Sequence, residues 1–522
     1  MSYLLTVDQG SSGTKAAVFD ADGHLLRQAA RRTVIDHPDV VAAEADPERW
    51  WLALVECVRE VLNGPIPAEL IGAMAVCGFM HTLVPVGENG TVTGPALLWP
   101  DQRPMADGSC VERMRWWVAE HPEAAARTRW YLPVKDFLRY RLTGQIATDR
   151  YDAGGTGFTE PRSPRTGFTE PRSPRTSSQQ AWRSPNSNQG LGSNQPSPAN
   201  GHISPDARNA SHEPHAWSSA VAAYAEISVQ QLPPIHEPLD VAGEITPKAA
   251  ALTGLAAGTP VAVGTGDWMA TLLGAAAVLP ERACVYLGTA GAIGGFASAQ
   301  TAANLTEPLC FAATTATGSA LTWLADLVGD DAPSLATAAE KVPPGARGVK
   351  FLPHLMGERG DAPRPSARGS ILGLTLAHTQ ADLARSVLEG TAMWLRTIAA
   401  TELDRRDPAA LVAVGGGARS EVWLRILAAV LQRDLLVPET TEAGLLGTAM
   451  IAATAIDPSG DEGVAALMDR WVRTTRTVPA EPDLVRRYQP LYEEFQLAEV
   501  MARNNLEPHK SSRPVPGRGR PR

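Results

Sequence analysis

The order of apolar runs and turn signals at the start of the chain predicts a β-meander. Residues 3–7 form an apolar run, residues 15–19 form a second, and Asp22-Gly23 marks a tight turn into a third at residues 24–26. The first two runs are joined by the stretch GSSG, which turns the chain. We therefore expect three consecutive strands with short connections.

A helical period follows this meander. Asp46 is a candidate cap for a helix, and Pro47 suits the first helical position. The apolar side chains after it recur on one helical face: Trp50, Trp51, Leu54, Cys57, Val58 and Val61. An apolar run at residues 70–78 then predicts a buried strand. Residues 83–94 predict a second hairpin with its turn at Asn89-Gly90.

The opening pattern of strand, glycine turn and strand returns late in the chain. The stretch CVYLGTAGAIGGF can be aligned with LTVDQGSSGTKAAVF, which places Gly288 and Gly291 opposite Gly10 and Gly13. This pairing suggests two related halves. Glycine-rich hairpins also align by chance, so that alternative stays open at this point.

Residues 159–214 lack any such pattern. Four large apolar side chains stand there amid Ser, Pro, Asn and Arg: Phe168, Trp182, Leu191 and Ile203. So little apolar surface cannot offset the chain entropy, and we predict a low-complexity, disordered insert over residues 156–214. It includes a tandem copy of TGFTEPRSPR, a unit too short and polar to stack as a solenoid repeat. The basic, proline-rich residues 507–522 are predicted to be a solvated tail.

Composition limits the classes of function. With 522 residues and 44% hydrophobic content, the chain is long enough for two domains. A formal net charge of -9 provides no general attraction to nucleic acid or to anionic lipid. The start of the chain has no signal-peptide pattern, and no apolar run is long enough to span a membrane, so we expect a cytoplasmic protein. Five scattered cysteines without CxxC spacing suggest neither disulfides nor a zinc site.

Three glycine-rich turns each follow an apolar run: VDQGSSGTK, VYLGTAG and LVAVGGGARS. Turns of this kind expose successive backbone N–H groups that can hold phosphate oxygens. A Walker A loop is absent from the sequence. The dinucleotide fingerprint fails because Met269 stands where GTGDWM would need its third glycine, which argues against a nicotinamide enzyme.

Two acids stand beside these turns. Phosphoryl transfer needs a bound metal, donors for the phosphates and a carboxylate that takes the proton of the attacking hydroxyl. Asp8 ends a predicted buried strand, where a carboxylate is costly unless it serves a metal or caps the turn. Asp267 begins a predicted helix, so it suits the role of the base. An ordinary helix cap would explain Asp267 equally well from spacing alone.

Longer stretches resemble a known family. Residues 351–396, beginning FLPHLMGERGDAPRP, are similar nearly throughout to the C-terminal signature of the FGGY carbohydrate kinases. Residues 414–453 and 132–156 resemble further segments of the same family, especially of its xylulose and gluconate kinases. The resemblance implies an α/β fold of two actin-like (ribonuclease H-like) ATPase domains with a cleft between them. Residues 1–245 would form the sugar-binding domain and residues 246–500 the nucleotide-binding domain.

The resemblance also implies roles for individual residues. Asp267 would be the catalytic base and a substrate ligand, and Asp8 would position Mg²⁺. The residues implied in ATP binding are Gly10, Ser11, Ser12, Gly13, Lys15, Gly288, Thr289, Gly291, Gly415, Gly416 and Gly417. Those implied in sugar binding are Met80, His81, Asp101 and Arg103. From its position alone, His81 would be read as an ordinary histidine at a strand end.

The implied activity is ATP-dependent phosphorylation of a primary hydroxyl, on a ketopentose or on a sugar acid. The motifs FMHT and GTAGAI lie between those of the xylulose and gluconate kinases, so both acceptors stay open. The insert and a missing segment after Arg103 alter the sugar-binding half, which leaves a weakly active or non-catalytic nucleotide-binding protein as the alternative. Expected partners are a sugar and ATP, with neither nucleic acid nor membrane; a homodimer is one admissible assembly.

Overall fold

The computed structural model describes residues 3–38, 42–101, 103, 109–160, 216–306, 308–358, 367–457 and 463–506. The tail predicted at residues 507–522 and most of the predicted insert lie outside these ranges.

The strands alternate with helices along the chain, as an α/β fold requires. The strands are β1 (Tyr3–Gly10), β2 (Gly13–Phe19), β3 (Leu25–Arg32), β4 (Glu44–Ala45), β5 (Ile71–Gly78), β6 (Leu83–Gly87), β7 (Ala96–Leu97), β8 (Thr128–Pro133), β9 (Thr148–Asp149), β10 (Ile235–His236), β11 (Val241–Glu244), β12 (Pro260–Ala262), β13 (Thr265–Gly266), β14 (Arg282–Leu287), β15 (Gly291–Phe296), β16 (Pro308–Thr314), β17 (Lys350–Leu352), β18 (Ser370–Leu372), β19 (Ala410–Val414), β20 (Leu435–Pro438) and β21 (Thr474–Val478).

The helices are α1 (Pro47–Leu62), α2 (Cys110–Glu120), α3 (Pro122–Arg127), α4 (Val134–Thr143), α5 (Arg150–Thr156), α6 (Ser219–Tyr224), α7 (Pro247–Thr253), α8 (Asp267–Gly274), α9 (Ala299–Ala303), α10 (Gly318–Val328), α11 (Ala332–Ala339), α12 (Gln380–Arg406), α13 (Glu421–Leu431), α14 (Ala443–Ile456), α15 (Val464–Trp471) and α16 (Pro482–Leu506). Helix α1 begins as predicted, because the Asp46 side chain accepts the N–H of Glu48 and Pro47 takes the first position. Its predicted apolar face is buried. None of the helices in the described ranges is both long and apolar enough to cross a membrane.

Two large sheets share one order of strands. The first has the strand order β11-β12-β5-β1-β2-β3, and the second has the order β21-β20-β19-β14-β15-β16. In each sheet the three strands of the meander are antiparallel. The first strand of the meander runs parallel to a later strand, which is parallel to the next strand in the sheet. The strand at the edge beyond them, β11 or β21, is antiparallel. The predicted meander is confirmed. The shared order also supports the two related halves suggested by the glycine turns.

The first sheet extends beyond the boundary predicted at residue 245. Strands β12 and β13 both pair with β5 in parallel, so residues 260–266 belong to the first sheet. The chain enters the layer between the sheets only with α8. A boundary after Gly266 therefore describes this structure better than one after residue 245.

The predicted hairpin at residues 83–94 forms, and Gly90 in its turn has the expected positive φ of 75°. The Gly87 N–H donates to the Thr91 carbonyl oxygen at 2.8 Å, and the Thr93 N–H donates to the Pro85 carbonyl oxygen at 3.0 Å. The full partner of β6 is β8, which follows much later in the chain. The remaining short pairs are β4 with β7, β9 with β10, and β17 with β18.

Helices α8 and α14 pack closely between the two sheets. Together with the inner faces of both sheets they form one apolar core, which includes Leu4 of β1 and Val414 of β19. A methyl group on Gly447 would lie 1.9 Å from the Ala270 carbonyl oxygen, so only glycine fits where α14 meets α8. This close contact holds α8 and α14 together as one layer between the two sheets.

The ends of the predicted insert meet. Residues 156–160 are ordered, contrary to the prediction: Phe158 is 0% exposed and its carbonyl oxygen accepts the N–H of Ser218 at 2.7 Å. Thr159 and Trp217 form an antiparallel bridge. Residues 160 and 216, which flank residues 161–215, are therefore adjacent.

Replacing residues 161–215 by a short Gly-Ser linker should leave the fold intact, because the hydrogen bonds that join the two ends stay in place. A shorter loop also costs less closure entropy. We expect a midpoint of thermal unfolding within about 2 °C of the intact protein, or higher. A matched deletion that also removes residues 158–160 and 216–218 takes away buried Phe158 and should lower the midpoint by several degrees. Equal losses in both variants would contradict this account.

Candidate active site

A cavity of ≈ 1450 Å³ opens between the two sheets. The turns that follow β1, β14 and β19 contribute to its wall, as do the starts of α8 and α14. The wall includes most of the residues predicted from the sequence: Asp8, Gly10, Ser11, Ser12, Gly13, Lys15, Met80, His81, Asp267, Gly288, Thr289, Gly291, Gly415, Gly416 and Gly417.

The two glycine hairpins face each other in this cavity. Ser12 Oγ lies 3.0 Å from Thr289 Oγ1, so one hydrogen bond joins the tips. A methyl group on Gly13 would lie 2.7 Å from the Arg31 carbonyl oxygen, which explains the glycine there. The Gly291 N–H donates to Thr314 Oγ1 at 3.0 Å, which fixes the second hairpin. Opposed turns of this kind can offer backbone N–H groups to phosphate oxygens.

The third turn approaches the second hairpin closely. Gly415 has a φ of 89°, and a methyl group on it would lie 2.8 Å from the Leu287 carbonyl oxygen. Its N–H donates to the Thr441 carbonyl oxygen at 2.8 Å. A methyl group on Gly417 would lie 2.7 Å from the Trp423 ring. Glycine is therefore required where the turn lines the cavity.

Lys15 lies opposite an acid of the second half. Its Nζ is 2.6 Å from Glu442 Oε2, and Arg419 Nη2 is 2.8 Å from Glu442 Oε1. Glu442 immediately precedes α14, and its side chain is 8% exposed. One carboxylate is thus held between cations from both halves. Glu442 was not predicted from the sequence. Its only local signal there is its position directly before the apolar run of α14.

Asp8 has a recessed carboxylate at the end of β1. Its Oδ1 has no hydrogen-bond partner among the described residues. A methyl group on Gly444 would lie 3.1 Å from its Oδ2. Burial raises the pKa of Asp8; the positive charge of Lys15 opposes this shift, while the negative charge of Glu442 adds to it. A buried carboxylate oxygen without a donor is costly unless a cation or water shares it, so Asp8 fits the role of a divalent-cation ligand.

Asp267 is the first residue of α8, and Gly266 rather than Asp267 occupies the cap position. The alternative in which Asp267 is an ordinary helix cap therefore fails. Burial raises the pKa of Asp267 to about 7, and the nearby negative charge of Asp8 adds to this, while the backbone N–H of Trp268 opposes it. Such a carboxylate can take up or release a proton near neutral pH.

Met80 and His81 reach the cavity just after β5. His81 has a φ of 63°, a left-handed conformation that is costly for a residue with a side chain and is often found at functional sites. Its Nδ1 donates to the Gly155 carbonyl oxygen. Met80 packs against Gly266, where a methyl group would lie 2.7 Å from the Met80 Sδ. His81 is thus both hydrogen-bonded, as at an ordinary strand end, and part of the cavity wall.

Asp101 and Arg103 do not line the cavity as predicted. Arg103 Nη2 lies 2.7 Å from Asp101 Oδ2, and the same oxygen accepts the N–H of Ala43 at 2.8 Å. Arg103 Nη1 also pairs with Glu44 Oε1 at 2.5 Å, and its guanidinium lies 4.3 Å from the centre of the Trp116 ring. Because they neutralise each other, the two residues join segments of the first half, and a role as sugar ligands is not supported.

A buried charge network near the end of β5 was not predicted from the sequence. Lys135 Nζ lies 2.7 Å from Asp136, 3.0 Å from Asp149 and 3.8 Å from Asp152, all with side chains at most 2% exposed. Thr265 Oγ1 donates to Asp149 Oδ2 at 3.1 Å. The acids of this network stand in the stretch LPVKDFLRYRLTGQIATDRYDAGGT, but nothing in their local spacing shows that they share one lysine.

The network connects His81 with the start of α8. Asp149 caps α5 by accepting the N–H groups of Tyr151 and Asp152, and the carbonyl of Gly155 in the same helix holds His81. Thr265, bound to Asp149, lies two residues before Asp267. One ionic cluster therefore orients both His81 and the start of α8.

Family models match both halves of the chain. The model described as the FGGY family of carbohydrate kinases, N-terminal domain, matches residues 3–113 and 212–274, and that of the C-terminal domain matches residues 263–456. A xylulose kinase from Escherichia coli (strain K12) is 26% identical over 527 residues, covering 94% of this chain and 97% of that protein. A gluconokinase from Bacillus licheniformis is 24% identical over 540 residues, covering 94% and 95%.

Solved structures share the fold. The structure of a ligand-bound xylulose kinase from Lactobacillus acidophilus matches with a TM-score of 0.73 at 20% identity, covering 97% of this chain and 100% of that one. The predicted α/β fold with two actin-like halves is confirmed. The chain therefore belongs to the FGGY family of carbohydrate kinases, phosphotransferases that use ATP and have an alcohol group as acceptor.

Proposed function

We propose that the protein phosphorylates a primary hydroxyl of a small neutral ketose, with Asp267 as the base. The observation that carries the proposal is that Asp267, with a pKa of about 7, lies in the same cavity as two opposed glycine hairpins. The ionised carboxylate would accept the proton of the sugar hydroxyl while that oxygen attacks the terminal phosphorus of ATP.

The hairpins would hold the phosphates. Backbone N–H groups of these two turns, other than the Gly291 N–H that donates to Thr314, are donors that need no reorganisation when charge develops on the phosphoryl oxygens. Asp8, with its unpartnered Oδ1, would hold Mg²⁺. A bound Mg²⁺ supplies positive charge that offsets the charge of the phosphates. Lys15 and Glu442 join the two halves beside this position and would keep it shielded from water.

The charges along the cavity favour a neutral acceptor. Its lysine and arginine side chains, among the described residues, lie beside the first hairpin or the third turn: Lys15, Arg31, Arg32 and Arg419. The other end is lined by Met80, His81 and the rings of Trp99, Tyr151 and Trp268. A sugar carboxylate entering that end would lose water without gaining an Arg or Lys partner from the described part of the wall, which is costly. A ketopentose has only hydroxyls and a carbonyl to bind there.

The alternative of a non-catalytic nucleotide-binding protein has less support. Burial raises the pKa of both Asp8 and Asp267, so keeping these two carboxylates in the cavity is energetically costly. A protein that only binds nucleotide gains nothing from a base beside the phosphate hairpins. Thr159 and Trp217, at the two ends of the insert, form an antiparallel bridge, and neither residue lines the cavity.

Replacing the proposed base tests the mechanism. Asp267→Asn keeps the size of the side chain and removes its ability to accept a proton, so kcat should fall about 100- to 10,000-fold. The Kd for ATP should change by less than about twofold, because the phosphate hairpins remain. A coupled assay of ADP release and calorimetry measure the two quantities. Asp22→Asn, on the exposed turn between β2 and β3, is the matched control and should leave both unchanged. An Asp267→Asn enzyme with native turnover would refute the assignment.

A substrate panel tests the acceptor. We expect kcat/KM for a ketopentose such as D-xylulose to exceed that for D-gluconate at least tenfold, which corresponds to about 1.4 kcal/mol of transition-state stabilisation. Pentuloses, hexuloses, polyols and sugar acids would be compared by ADP release under identical conditions. Preference for the sugar acid would show that a cation outside the described wall reaches the acceptor. No response to any sugar would favour the non-catalytic alternative.

A further inference from the structure

Asp8 and Tyr286 occupy equivalent positions in the two halves. Each lies two residues before the first glycine of its hairpin, on β1 and β14 respectively. Asp8 pairs with Cys77 of β5, and Tyr286 pairs with Val414 of β19. Each of these two partners is followed directly by a glycine. Since the two sheets share their strand order, the second half has a phenol where the first has a carboxylate.

The Tyr286 hydroxyl lies against the second phosphate hairpin. A methyl group on Gly288 would be 2.2 Å from this oxygen, so the side chain follows the turn and the glycine makes room for it. Tyr286 is half-buried and lines the cavity. No hydrogen bond from its hydroxyl to any of the described residues is present in the structure. The hydroxyl is therefore available to a ligand held by the hairpin.

The surroundings keep this hydroxyl protonated. Burial raises the pKa of Tyr286, and the negative charges of Asp8, Asp267 and Glu442 raise it further. The phenol is therefore neutral at any pH at which the enzyme works, and it can serve as a hydrogen-bond donor but not as a base.

We propose that the Tyr286 hydroxyl donates a hydrogen bond to the phosphoryl group as it passes from ATP to the sugar. The inference rests on the proposed function and adds a side-chain donor to the backbone donors of the hairpins. Two facing carboxylates would repel the phosphates, whereas a carboxylate opposite a phenol provides one cation ligand and one donor. A donor placed where charge gathers on the equatorial oxygens binds the transition state more tightly than the ground state.

Tyr286→Phe tests this role, because it removes one oxygen and keeps the ring that packs on Gly288. We expect kcat to fall about 100-fold, with KM for the sugar within about twofold of the native value. Calorimetry should show weaker binding of a non-hydrolysable ATP analogue and unchanged binding of ADP, because only the triphosphate reaches the hydroxyl. This binding measurement does not depend on any sugar being turned over.

Tyr224→Phe is the matched control. Its exposed hydroxyl donates to Glu112 outside the cavity, and its loss should leave kcat and both nucleotide affinities unchanged. Native kcat and native affinity for the ATP analogue in Tyr286→Phe would overturn the inference and leave Tyr286 as packing for the turn. If the native enzyme phosphorylates no sugar, the proposed function fails, while the ratio of ATP-analogue to ADP affinity still decides whether Tyr286 contacts the terminal phosphate.

Discussion

The structure depends on holding three carboxylates close together at the seam between its two sheets. Asp8, Asp267 and Glu442 all line one cavity, where the negative charge of Glu442 raises the pKa of Asp8 and that of Asp8 raises the pKa of Asp267. Glu442 is neutralised by Lys15 from the first half and Arg419 from the second. Asp267 stands at the start of α8, where the helix dipole favours a negative charge. Burial is the main cause of the raised pKa values of Asp8 and Asp267, and the neighbouring negative charges add to it.

The duplicated architecture makes this concentration of charge possible. Each half ends its first strand in a glycine hairpin, and the hairpins meet because the sheets share their strand order and pack around the same pair of helices. The contact of α8 with α14 holds this pair together, since a methyl group on Gly274 would lie 1.9 Å from the Ala443 carbonyl oxygen. Near the end of β5, Lys135 binds three acids and orients both α5 and the approach to Asp267. Buried elements therefore hold each part of the site in place.

Local pattern in the sequence predicted the parts of the fold that depend on nearby residues. The meander, the apolar face of α1 and the glycine turns all arise from short-range periodicity and turn chemistry. Long-range pairing could not be predicted in this way: β6 also pairs along its length with β8, which no local pattern indicates. The same limit explains why Glu442 and the Lys135 network were missed, and why Asp101 and Arg103 were taken for ligands although they bind each other. The family resemblance provided roles for Asp8 and Asp267 that spacing alone left open.

The central claim is that burial and Asp8 tune Asp267 to act as a base near neutral pH. The most direct measurement is the pH dependence of kcat/KM at saturating Mg²⁺, with both substrates below their KM, because this ratio reports the ionisation of the free enzyme. Since the base must be ionised, the account predicts a plateau at high pH and a tenfold fall per unit on the acid side, with an apparent pKa of about 7. An acid limb near the ordinary value of an exposed carboxylate, about 4, or no limb at all, would contradict it.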